Sequence, residues 1–408
     1  MSHRAPDVVV VGGPNYGPDH NATPNVMVRE LCRHHRVLYL HSEANGSLVR
    51  RLGGIVHHLG ARQVGRILLD RTRVRRVEER LWLASVRGLP SLGPLWAPES
   101  MRRRNARVLS RVIRSWLAET GADPPLLIFY WWALPELIDT VPHSAAVYDC
   151  TDDHAALPGS FAGDIRVQRL EGRLLDAVDR AYVVSPQLLA SRQRPGRSVA
   201  LLPVCVDMTL FASLERDGFA VPDDLSALPR PIIGYAGALG MRMDWELLGE
   251  LTRRCQEWSF VFLGGHRRDL PAHMLRPNVF CVAPMPYRAA LAAMSAFDVA
   301  TIPMMANRFS MTNSFLKLRE YLAHGHPVVS AALPDTESLA AQAPGLLRLA
   351  RGPDEWVCAL EEALQEPRDS PLRAARRAYV EERSTPQRVA ALLGDVYDTG
   401  PRPVVLQS

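Results

Sequence analysis

The chain has 408 residues, of which 47% are hydrophobic and 22% charged, and its formal net charge at pH 7 is +5. This composition is ordinary for a globular protein and argues against disorder as the main state. The length exceeds what a single hydrophobic core usually serves, so we expect two domains of roughly 150 to 200 residues.

Segments that would direct the chain to a membrane or hold a metal are not evident in the sequence. No run of about 18 uncharged apolar residues occurs, and the first seven residues lack the layout of a signal peptide. The six cysteines are scattered singly, without the spacing of metal ligands. We therefore expect a cytoplasmic protein with reduced, mostly buried thiols and no metal site.

The first half of the chain alternates segments with strand and helix patterns, as a doubly wound α/β domain does. Helices are predicted at residues 24–34 and 165–178. Strands are predicted at residues 8–11, 37–40, 126–130, 145–148 and 181–184. The first strand consists of four valines, which is typical of a parallel sheet covered on both faces.

A glycine-rich segment, GGPNYG, follows the first strand at residues 12–17. Its spacing is not that of the dinucleotide-binding fingerprint, and a proline interrupts it. It is either a loop on the acceptor side, with Gly13, Asn15 and Tyr16 near a ligand, or a tight turn between strand and helix.

A strongly basic stretch lies between Arg50 and Arg114, where sixteen arginines accompany only four acidic residues. We predict that it is largely helical, and it fits a solvated face, an anionic membrane surface or nucleic acid. Nucleic acid is not expected, because no recognisable reader motif accompanies the charge. An interfacial helix would also need interleaved apolar side chains. The stretch supplies Ile67, Leu68, Leu69, Leu81 and Trp82.

The strand and helix pattern restarts after Pro203 and predicts a second Rossmann-like unit. Its strands are expected at residues 231–235, 260–263, 279–282, 299–302 and 327–329, and its helices at 245–254, 289–295 and 314–324. Residues 207–230 have the composition of a connection, and 354–364 and 372–396 are helical in period. The predicted domains are residues 1–200, 201–380 and a C-terminal helix and tail at 381–408.

Residues 307–330 read NRFSMTNSFLKLREYLAHGHPVVS. Together with IIGYAGALGMRMDWELL at 232–248 and FVFLGG at 260–265, they resemble the C-terminal half of family 4 glycosyltransferases of the GT-B fold. The pattern is nearest to the branch that includes teichuronic acid biosynthesis glycosyltransferases, and VYDCTDDHAALPG at 147–159 and LLPVCVD at 201–207 extend it. The resemblance implies two Rossmann-like domains facing a central cleft, with the C-terminal helices packing back toward the N-terminal domain.

The chemistry of a nucleotide diphosphate sugar accounts for several of these residues. The two phosphates gain negative charge as the glycosidic bond breaks, so the site needs fixed cations or amide donors. Lys317, the single lysine of the chain, and Arg242 are the candidates. Lys317 and Glu320 are three residues apart on one predicted helix, whose N-terminus would favour a diphosphate. The resemblance implies that Glu320 holds the ribose hydroxyls, and the alternative is a surface ion pair between the two.

The resemblance also implies a set of further donor-binding residues. These are Gly237, Gly264, Gly265, Thr312, Asn313, Ser314 and Leu318. Thr312 departs from the family, which carries the first of two glutamates there, and Val204-Cys205 replaces a usual Asn-Gly. Since a hydroxyl supplies no negative charge near the sugar, we expect sugar-side contacts that differ from those of the family.

In the first half, Asp149, Asp152, Asp153 and His154 follow a strand, where the resemblance places a residue on the catalytic side. Close carboxylates raise the pKa of one another, which would make Asp149 or Asp152 a general base. Asp153 and His154 would then lie on the acceptor side. Alternatively, the segment is a plain loop that caps the next helix.

The sequence thus predicts a retaining, metal-independent glycosyltransferase that uses a GDP- or UDP-sugar as co-substrate and needs no cofactor. The expected acceptor is a hydroxyl or thiol of a small molecule, as in antibiotic biosynthesis, because the sugar-side positions are altered and the arginine-rich composition is typical of GC-rich bacteria. The alternatives are an enzyme at the inner membrane face that builds a cell-surface polysaccharide or glycolipid, a nucleotide-sugar epimerase and a non-catalytic nucleotide-binding protein.

Overall fold

The computed structural model describes residues 6–13, 16–17, 21–41, 74–85, 99–156 and 165–398. The chain divides into two compact units. The first comprises Met1–Val184, Leu188–Leu202 and Val389–Ser408, and the second comprises Ser185–Gln187 and Pro203–Arg388. Each unit contains its own β-sheet.

The sheet of the first unit has eight strands. They are β1 (Val8–Val11), β2 (Val37–His41), β3 (Val74–Glu78), β4 (Leu81–Ser85), β5 (Leu126–Phe129), β6 (Ala145–Cys150), β7 (Arg180–Val183) and β8 (Val199–Leu201). Their order is β3-β4-β2-β1-β5-β6-β7-β8, and every pair except β3 and β4 is parallel. The valines of β1 are fully buried, as expected of a parallel strand covered on both faces.

Helices accompany this sheet. They are α1 (Thr23–Leu31), α2 (Glu99–Thr120), α3 (Ile165–Ala177) and α4 (Pro186–Arg192). The longest of them, α2, buries Leu109, Ile113 and Trp116 along one face and exposes arginines on the other. This amphipathic division follows the helical period.

The basic stretch is helical as predicted from Glu99 onward, where α2 begins, but its earlier described part is not. Residues 74–85 form an antiparallel hairpin rather than a helix, because β4 pairs with the central strand β2 and buries Leu81 and Leu83. Trp82 packs edge-on against Trp116 of α2, with ring centroids 5.8 Å apart. Leu81 and Trp82 are therefore not part of an interfacial helix. Residues 67–69 lie outside the described residues.

The sheet of the second unit has six strands, all parallel. They are β9 (Ile232–Ala236), β10 (Ser259–Leu263), β11 (Val279–Val282), β12 (Val299–Ile302), β13 (Val328–Ala331) and β14 (Arg348–Ala350). Their order is β11-β10-β9-β12-β13-β14. The order reverses at β9, and in open α/β sheets ligands bind at the carboxyl ends of strands beside such a switch point.

The helices of the second unit lie along the chain between and after these strands. They are α5 (Met208–Asp217), α6 (Asp223–Ser226), α7 (Trp245–Arg254), α8 (Tyr287–Met294), α9 (Arg308–Thr312), α10 (Leu316–His324), α11 (Pro334–Gln342), α12 (Pro353–Leu364) and α13 (Pro371–Glu381). The prediction that residues 207–230 are only a connection is wrong. Asp207 caps α5 through the amide of Thr209 at 3.1 Å, and Phe211 and Leu214 enter the hydrophobic core.

The last helix, α14 (Thr385–Asp398), belongs to the first unit from Val389 onward. The Tyr182 hydroxyl of β7 donates a hydrogen bond to the carboxylate of Asp395 at 2.6 Å. The predicted return of C-terminal helices toward the N-terminal domain is thus confirmed. The helical stretch predicted at 372–396 is divided into α13 and α14 by a break after Glu381.

Two further expectations concern cysteines and membrane spans. All six cysteines are free thiols, and Cys150, Cys205 and Cys255 are buried, whereas Cys358 is exposed. Within the described part of the chain, no helix combines the length and the apolar character needed to cross a bilayer.

Candidate functional site

Two glycines at the carboxyl edge of the second sheet bring neighbouring loops together. Gly237 follows β9 and Gly264 follows β10, with φ angles of 141° and 103° that favour glycine. The Gly237 amide donates to the carbonyl of Leu263 at 2.8 Å, and a Cβ on Gly264 would lie 3.0 Å from the Gly237 carbonyl oxygen. Gly265 is similarly confined by Leu239. Bare backbone therefore lines this edge.

Lys317, in the first turn of α10, reaches the same edge. Its ammonium donates to the Tyr235 hydroxyl at 2.9 Å and lies 4.7 Å from the centre of that ring. A Cβ on Gly237 would lie 3.2 Å from the Lys317 Nζ. The structure thus brings Lys317, Gly237 and Gly264 together, and their role in binding a donor stays a prediction.

The charge of Lys317 has no carboxylate to balance it within the described residues. Glu320, three residues later, instead accepts a hydrogen bond from the Tyr287 hydroxyl at 2.8 Å and is nearly fully buried. The surface ion pair considered from the sequence does not form. A partly buried cation that no carboxylate balances, beside bare backbone, can receive an anionic ligand.

The beginning of α10 is fixed by residues that are distant in sequence. Asp335 accepts the amide of Phe315 at 2.8 Å and the hydroxyl of Ser314 at 3.2 Å. It also pairs with the guanidinium of Arg319, whose Nη2 lies 2.8 Å from Asp335 Oδ1. All four are buried. Since no side chain caps α10, its first amides keep their partial positive charge at this edge.

The side chains of Thr312 and Leu318 make their contacts within the protein. The Thr312 hydroxyl bonds to the carbonyl of Phe309 at 3.1 Å within its own helix, and its carbonyl accepts from Ser185 at 2.6 Å. The Leu318 side chain is fully buried in the core, and its amide donates to the Phe315 carbonyl at 3.1 Å. Leu318 is therefore a packing residue. Asn313 lies between α9 and α10.

Arg242 lies on the loop that follows β9. Its guanidinium stacks over the ring of Phe309, 5.0 Å from the ring centre. Its carbonyl accepts from the amide of Met305 at 2.9 Å, and Met243 pairs with Met304 in a short bridge. The loop after β9 is thus joined to the loop after β12, and the guanidinium is held against an aromatic face.

The glycine-rich loop of the first unit is shaped by aromatic side chains. A Cβ on Gly13, whose φ is 132°, would meet the Tyr39 hydroxyl at 2.2 Å. The Tyr16 hydroxyl donates to Glu78 of β3 at 3.0 Å, so it is not directed at open space. Asn15 lies outside the described residues.

Asp149 and Asp153 follow one another closely in sequence but lie in different surroundings. Asp149 is fully buried on β6. Its neighbours Tyr148 and Cys150 both contact Glu171, so alternation places Asp149 on the opposite face of the sheet. Asp153 instead shares Arg192 with Glu171, with both carboxylates 3.0 Å from one guanidinium nitrogen.

The expected cluster of three aspartates is therefore not what forms around Asp153. Arg192 forms an ion pair with Asp153 and balances its charge. The pair that forms is Asp153 with Glu171, which lies on α3. Asp152 is half-buried, and its carbonyl accepts from the thiol of Cys150 at 3.4 Å.

His154 lies beside two indole rings. Trp131 and Trp132 stack on each other, and the imidazole is 6.4 Å and 6.0 Å from their centres. Its Nε2 atom is buried and finds no hydrogen-bond partner among the described residues. Burial lowers the pKa of His154, an effect that the nearby Glu171 carboxylate opposes.

Sequence reasoning missed the residues that support the predicted ones. Tyr235, Tyr287, Arg192 and Asp335 each hold a predicted site residue or its loop in place. Tyr235 is part of a buried strand, where its hydroxyl gives no periodic signal. Asp335 accepts a hydrogen bond from the amide of Phe315, twenty residues earlier, so no local sequence pattern indicates its role.

No family model matches the chain. Among curated proteins, the candidate teichuronic acid biosynthesis glycosyltransferase TuaH of Bacillus subtilis (strain 168) is 26% identical over 282 residues, which span 64% of this chain and 68% of TuaH. Sucrose-phosphate synthase from Thermosynechococcus elongatus superposes with a TM-score of 0.66 at 16% identity, over 96% of this chain and 98% of that one.

Two further solved structures match nearly the whole chain. An E. coli trehalose-6-phosphate structure bound with UDP-2-fluoro glucose gives a TM-score of 0.66 at 11% identity, over 97% of this chain and 100% of that one. A UDP-forming α,α-trehalose-phosphate synthase from Burkholderia xenovorans, in complex with glucose-6-phosphate, gives 0.63 at 12% identity, over 95% and 99%. The chain has the GT-B fold.

Each of the two sheets is the centre of one Rossmann-like domain, as expected from the sequence. The similarity to TuaH confirms the resemblance to the teichuronic acid biosynthesis glycosyltransferases. Identities of 11% to 16% establish architecture and not substrate. Among the described residues, no three His, Cys, Asp or Glu side chains gather as metal ligands would.

Proposed function

We propose that this protein is a retaining glycosyltransferase that moves a sugar from a nucleotide diphosphate donor to a hydroxyl or thiol of a small acceptor, without a metal ion. The observation that carries the proposal is the Lys317 ammonium, which lies over Gly237 at the carboxyl edge of the second sheet. No carboxylate of the described chain neutralises it.

Three features of this edge suit a diphosphate. Lys317 supplies a fixed positive charge, the uncapped start of α10 supplies amide donors, and Gly237 and Gly264 let phosphate oxygens approach the backbone. Arg242 is the second cation in the proposal, and Phe309 holds its guanidinium. Because the structural neighbours include a UDP-forming enzyme and one bound with UDP-2-fluoro glucose, UDP is the first nucleotide to test.

The proposed reaction keeps the anomeric configuration. The acceptor attacks the sugar from the face that the diphosphate leaves, and the departing phosphate oxygen takes the acceptor proton. Lys317 and Arg242 stabilise the negative charge that develops on the diphosphate. Glu320, fixed by Tyr287, accepts hydrogen bonds from the ribose hydroxyls.

The acceptor side of the proposal lies in the first unit. His154 offers a buried nitrogen beside the rings of Trp131 and Trp132, which suits a hydroxyl on a flat or ring-shaped molecule. Asp152, which is half-buried, is proposed to assist the departing phosphate oxygen as a base, and the buried Asp149 is proposed beside it on the catalytic side. A small molecule of specialised metabolism remains the proposed acceptor.

The test is nucleotide release by the full chain from UDP- and GDP-sugars, with a panel of phenolic, thiol and sugar acceptors. Lys317→Ala should lower turnover about 100-fold or more, because loss of one preorganised donor to a developing charge has effects of that order. Lys317→Arg should retain part of the rate, since it keeps the charge but not the ammonium geometry. Arg253→Ala, at an exposed position on α7, is the matched control.

The possible outcomes separate the alternatives. A wild-type rate in Lys317→Ala would end the assignment. Nucleotide binding without release to any acceptor would favour a non-catalytic protein, and release of free nucleotide without any acceptor requirement would favour an epimerase. Activity unchanged by EDTA is expected, and loss that Mg²⁺ restores would contradict metal independence.

A second candidate is a membrane-associated enzyme that builds a cell-surface polysaccharide, favoured by the similarity to TuaH and by α2. Arg104, Arg107 and Arg111 are exposed at helical spacing, and none has an ion pair or hydrogen bond with the rest of the described chain. Such a stripe complements anionic lipid headgroups.

Liposome co-sedimentation tests this second candidate directly. Binding should require anionic lipid, and reversing the three charges to glutamate should weaken it about 100-fold or more, since each basic residue contributes about 1 kcal/mol near such a surface. Reversing Arg216, Arg268 and Arg368, exposed in the second unit, is the control. Equal losses in both triple variants, or binding to neutral vesicles, would reject the stripe as a docking surface.

A further inference from the structure

The Tyr235 hydroxyl connects the lysine to the loop beneath it. Tyr235 is 1% exposed and is the fourth of the five residues of β9. Its oxygen accepts from Lys317 Nζ at 2.9 Å and donates to the carbonyl of Ala238 at 3.3 Å. One buried hydroxyl therefore contacts both the ammonium and the chain segment that follows Gly237.

The space around this contact leaves the ammonium little freedom. A Cβ on Gly237 would lie 3.2 Å from Lys317 Nζ, 3.3 Å from its Cε and 3.1 Å from the Tyr235 oxygen. The lysine stem thus crosses the backbone at Gly237, and the Tyr235 ring flanks its charged end. A side chain with four rotatable bonds is held at both its stem and its tip.

A second tyrosine, on the helix, forms a hydrogen bond back to the strand, so α10 and β9 are joined twice. Tyr321, one turn after Lys317 on α10, is fully buried, and its hydroxyl oxygen accepts from the amide of Ala236 at 2.8 Å. A strand tyrosine therefore holds the helix lysine, and a helix tyrosine holds the end of the strand. This pair of contacts fixes where the first turn of α10 lies relative to Gly237.

We propose that Tyr235 is a positioning residue that aims the Lys317 ammonium at the outer phosphate of a nucleoside diphosphate, and so makes the site select a diphosphate over a monophosphate. This inference rests on the proposed donor site. The hydroxyl itself need not touch the ligand, since it acts by restricting the ammonium to one position. A preorganised cation binds the additional phosphate more tightly than one that must first be ordered.

Titration calorimetry of the full chain with UDP and UMP, and with GDP and GMP, tests the inference. The quantity measured is the ratio of the monophosphate Kd to the diphosphate Kd. Lys317→Ala should reduce this ratio toward one. Tyr235→Phe keeps the ring beside the ammonium but removes the hydroxyl, and it should reduce the ratio about tenfold or more, as expected for a hydrogen bond to a charged group.

A double-mutant cycle separates positioning from a general loss of structure. If Tyr235 acts through the lysine, Tyr235→Phe should change the ratio no further in a Lys317→Ala background. Tyr182→Phe, which also removes a buried tyrosine hydroxyl but in the other unit, should leave the ratio at the wild-type value. Circular dichroism of each variant verifies folding.

Three results would overturn the inference, and they have different meanings. An unchanged ratio in Tyr235→Phe would show that the hydroxyl does not position the lysine. Equal reductions with and without Lys317 would assign Tyr235 a purely structural role. A ratio near one in the wild type, or a ratio that Lys317→Ala leaves intact, would remove the proposed donor site itself.

Discussion

His154 carries a buried nitrogen for which the described chain offers no hydrogen-bond partner. Buried polar atoms are usually satisfied, and leaving one unsatisfied is costly. A ligand hydroxyl would supply the missing partner, and the two tryptophan rings beside it would cover the ligand's flat face. In the proposed function we therefore assign the imidazole to the acceptor and not to the nucleotide.

We predict that His154→Phe lowers acceptor-dependent nucleotide release about tenfold, because the ring is kept and one hydrogen bond is lost. Release without acceptor should change less than twofold, since the donor contacts lie elsewhere in the chain. Steady-state kinetics with the best acceptor of the panel measures both rates, and His34→Gln, at an exposed position, is the control. A parallel fall in both rates would show that His154 supports the structure rather than the acceptor.

The sequence indicates the roles of some site residues more readily than those of others. Lys317 is conspicuous because it is the only lysine in an arginine-rich chain, and the structure places it at Gly237 as expected. Leu318 was assigned to the donor site by its neighbours in the motif, but its side chain enters the core. The partner of Asp153 could not be predicted, because Arg192 lies about forty residues later in the sequence.

At the scale of elements, the first turn of α10 depends on α11. Asp335, in the first turn of α11, accepts hydrogen bonds from the amide of Phe315 and the hydroxyl of Ser314, and pairs with Arg319. The side chains of Arg319 and Asp335 are 10% and 6% exposed, so removal of either partner leaves a buried charge. The position of Lys317 therefore depends on an ion pair formed beneath it.

We predict that Asp335→Asn destabilises the second unit by about 3 to 5 kcal/mol, the usual cost of breaking a buried ion pair. Arg319→Met should cost less, because Asp335 would keep the two donors at Phe315 and Ser314. Urea unfolding measures both free energies, and Glu250→Gln, which weakens surface ion pairs with Arg253 and Arg254, should cost much less than either buried variant. The reverse ranking of the two buried variants would contradict this account of the helix start.

The strands and helices of the protein differ in how well the sequence predicts their bounds. Five of the six strands of the second sheet are predicted to within one or two residues, because buried parallel strands are continuous apolar runs, whereas the short edge strand β14 is not predicted. The start of α10 was predicted at residue 314 and lies at Leu316, since a distant aspartate holds Ser314 and Phe315 outside the helix. The hairpin at 74–85 was mistaken for helix because pairing with β2, and not local pattern, determines it.

At the scale of the whole molecule, the second unit contains two histidines that burial keeps neutral. His324 and His326 stack at 5.2 Å on either side of Gly325. His326 donates from Nε2 to the carbonyl of Met294 at 3.0 Å. Burial, helped by the positive charge of Arg373, lowers the pKa of His326 to about 3. Burial and the neighbouring imidazole lower the pKa of His324 well below its ordinary value.

These shifts determine how the stability of the protein depends on pH. An unfolded histidine takes up a proton near pH 6.5, whereas each folded imidazole stays neutral to a much lower pH. Between those limits the unfolded state binds more protons, so the free energy of unfolding falls as pH falls. Above about pH 7 the two histidines do not lower the free energy of unfolding. By pH 5.5 each of them lowers it by about 1.4 kcal/mol.

We predict that urea midpoints of the full chain fall between pH 7.5 and pH 5.5, and that His326→Gln reduces this dependence by about one histidine's share. Glutamine can donate to the Met294 carbonyl from nearly the same position, and it does not take up a proton. The exposed His266 of the same unit is the control, and His266→Gln should leave the slope as it is in the wild type. If His326→Gln keeps the full wild-type slope, acid destabilisation arises from other groups, and the buried histidine pair does not limit the stability of the second unit.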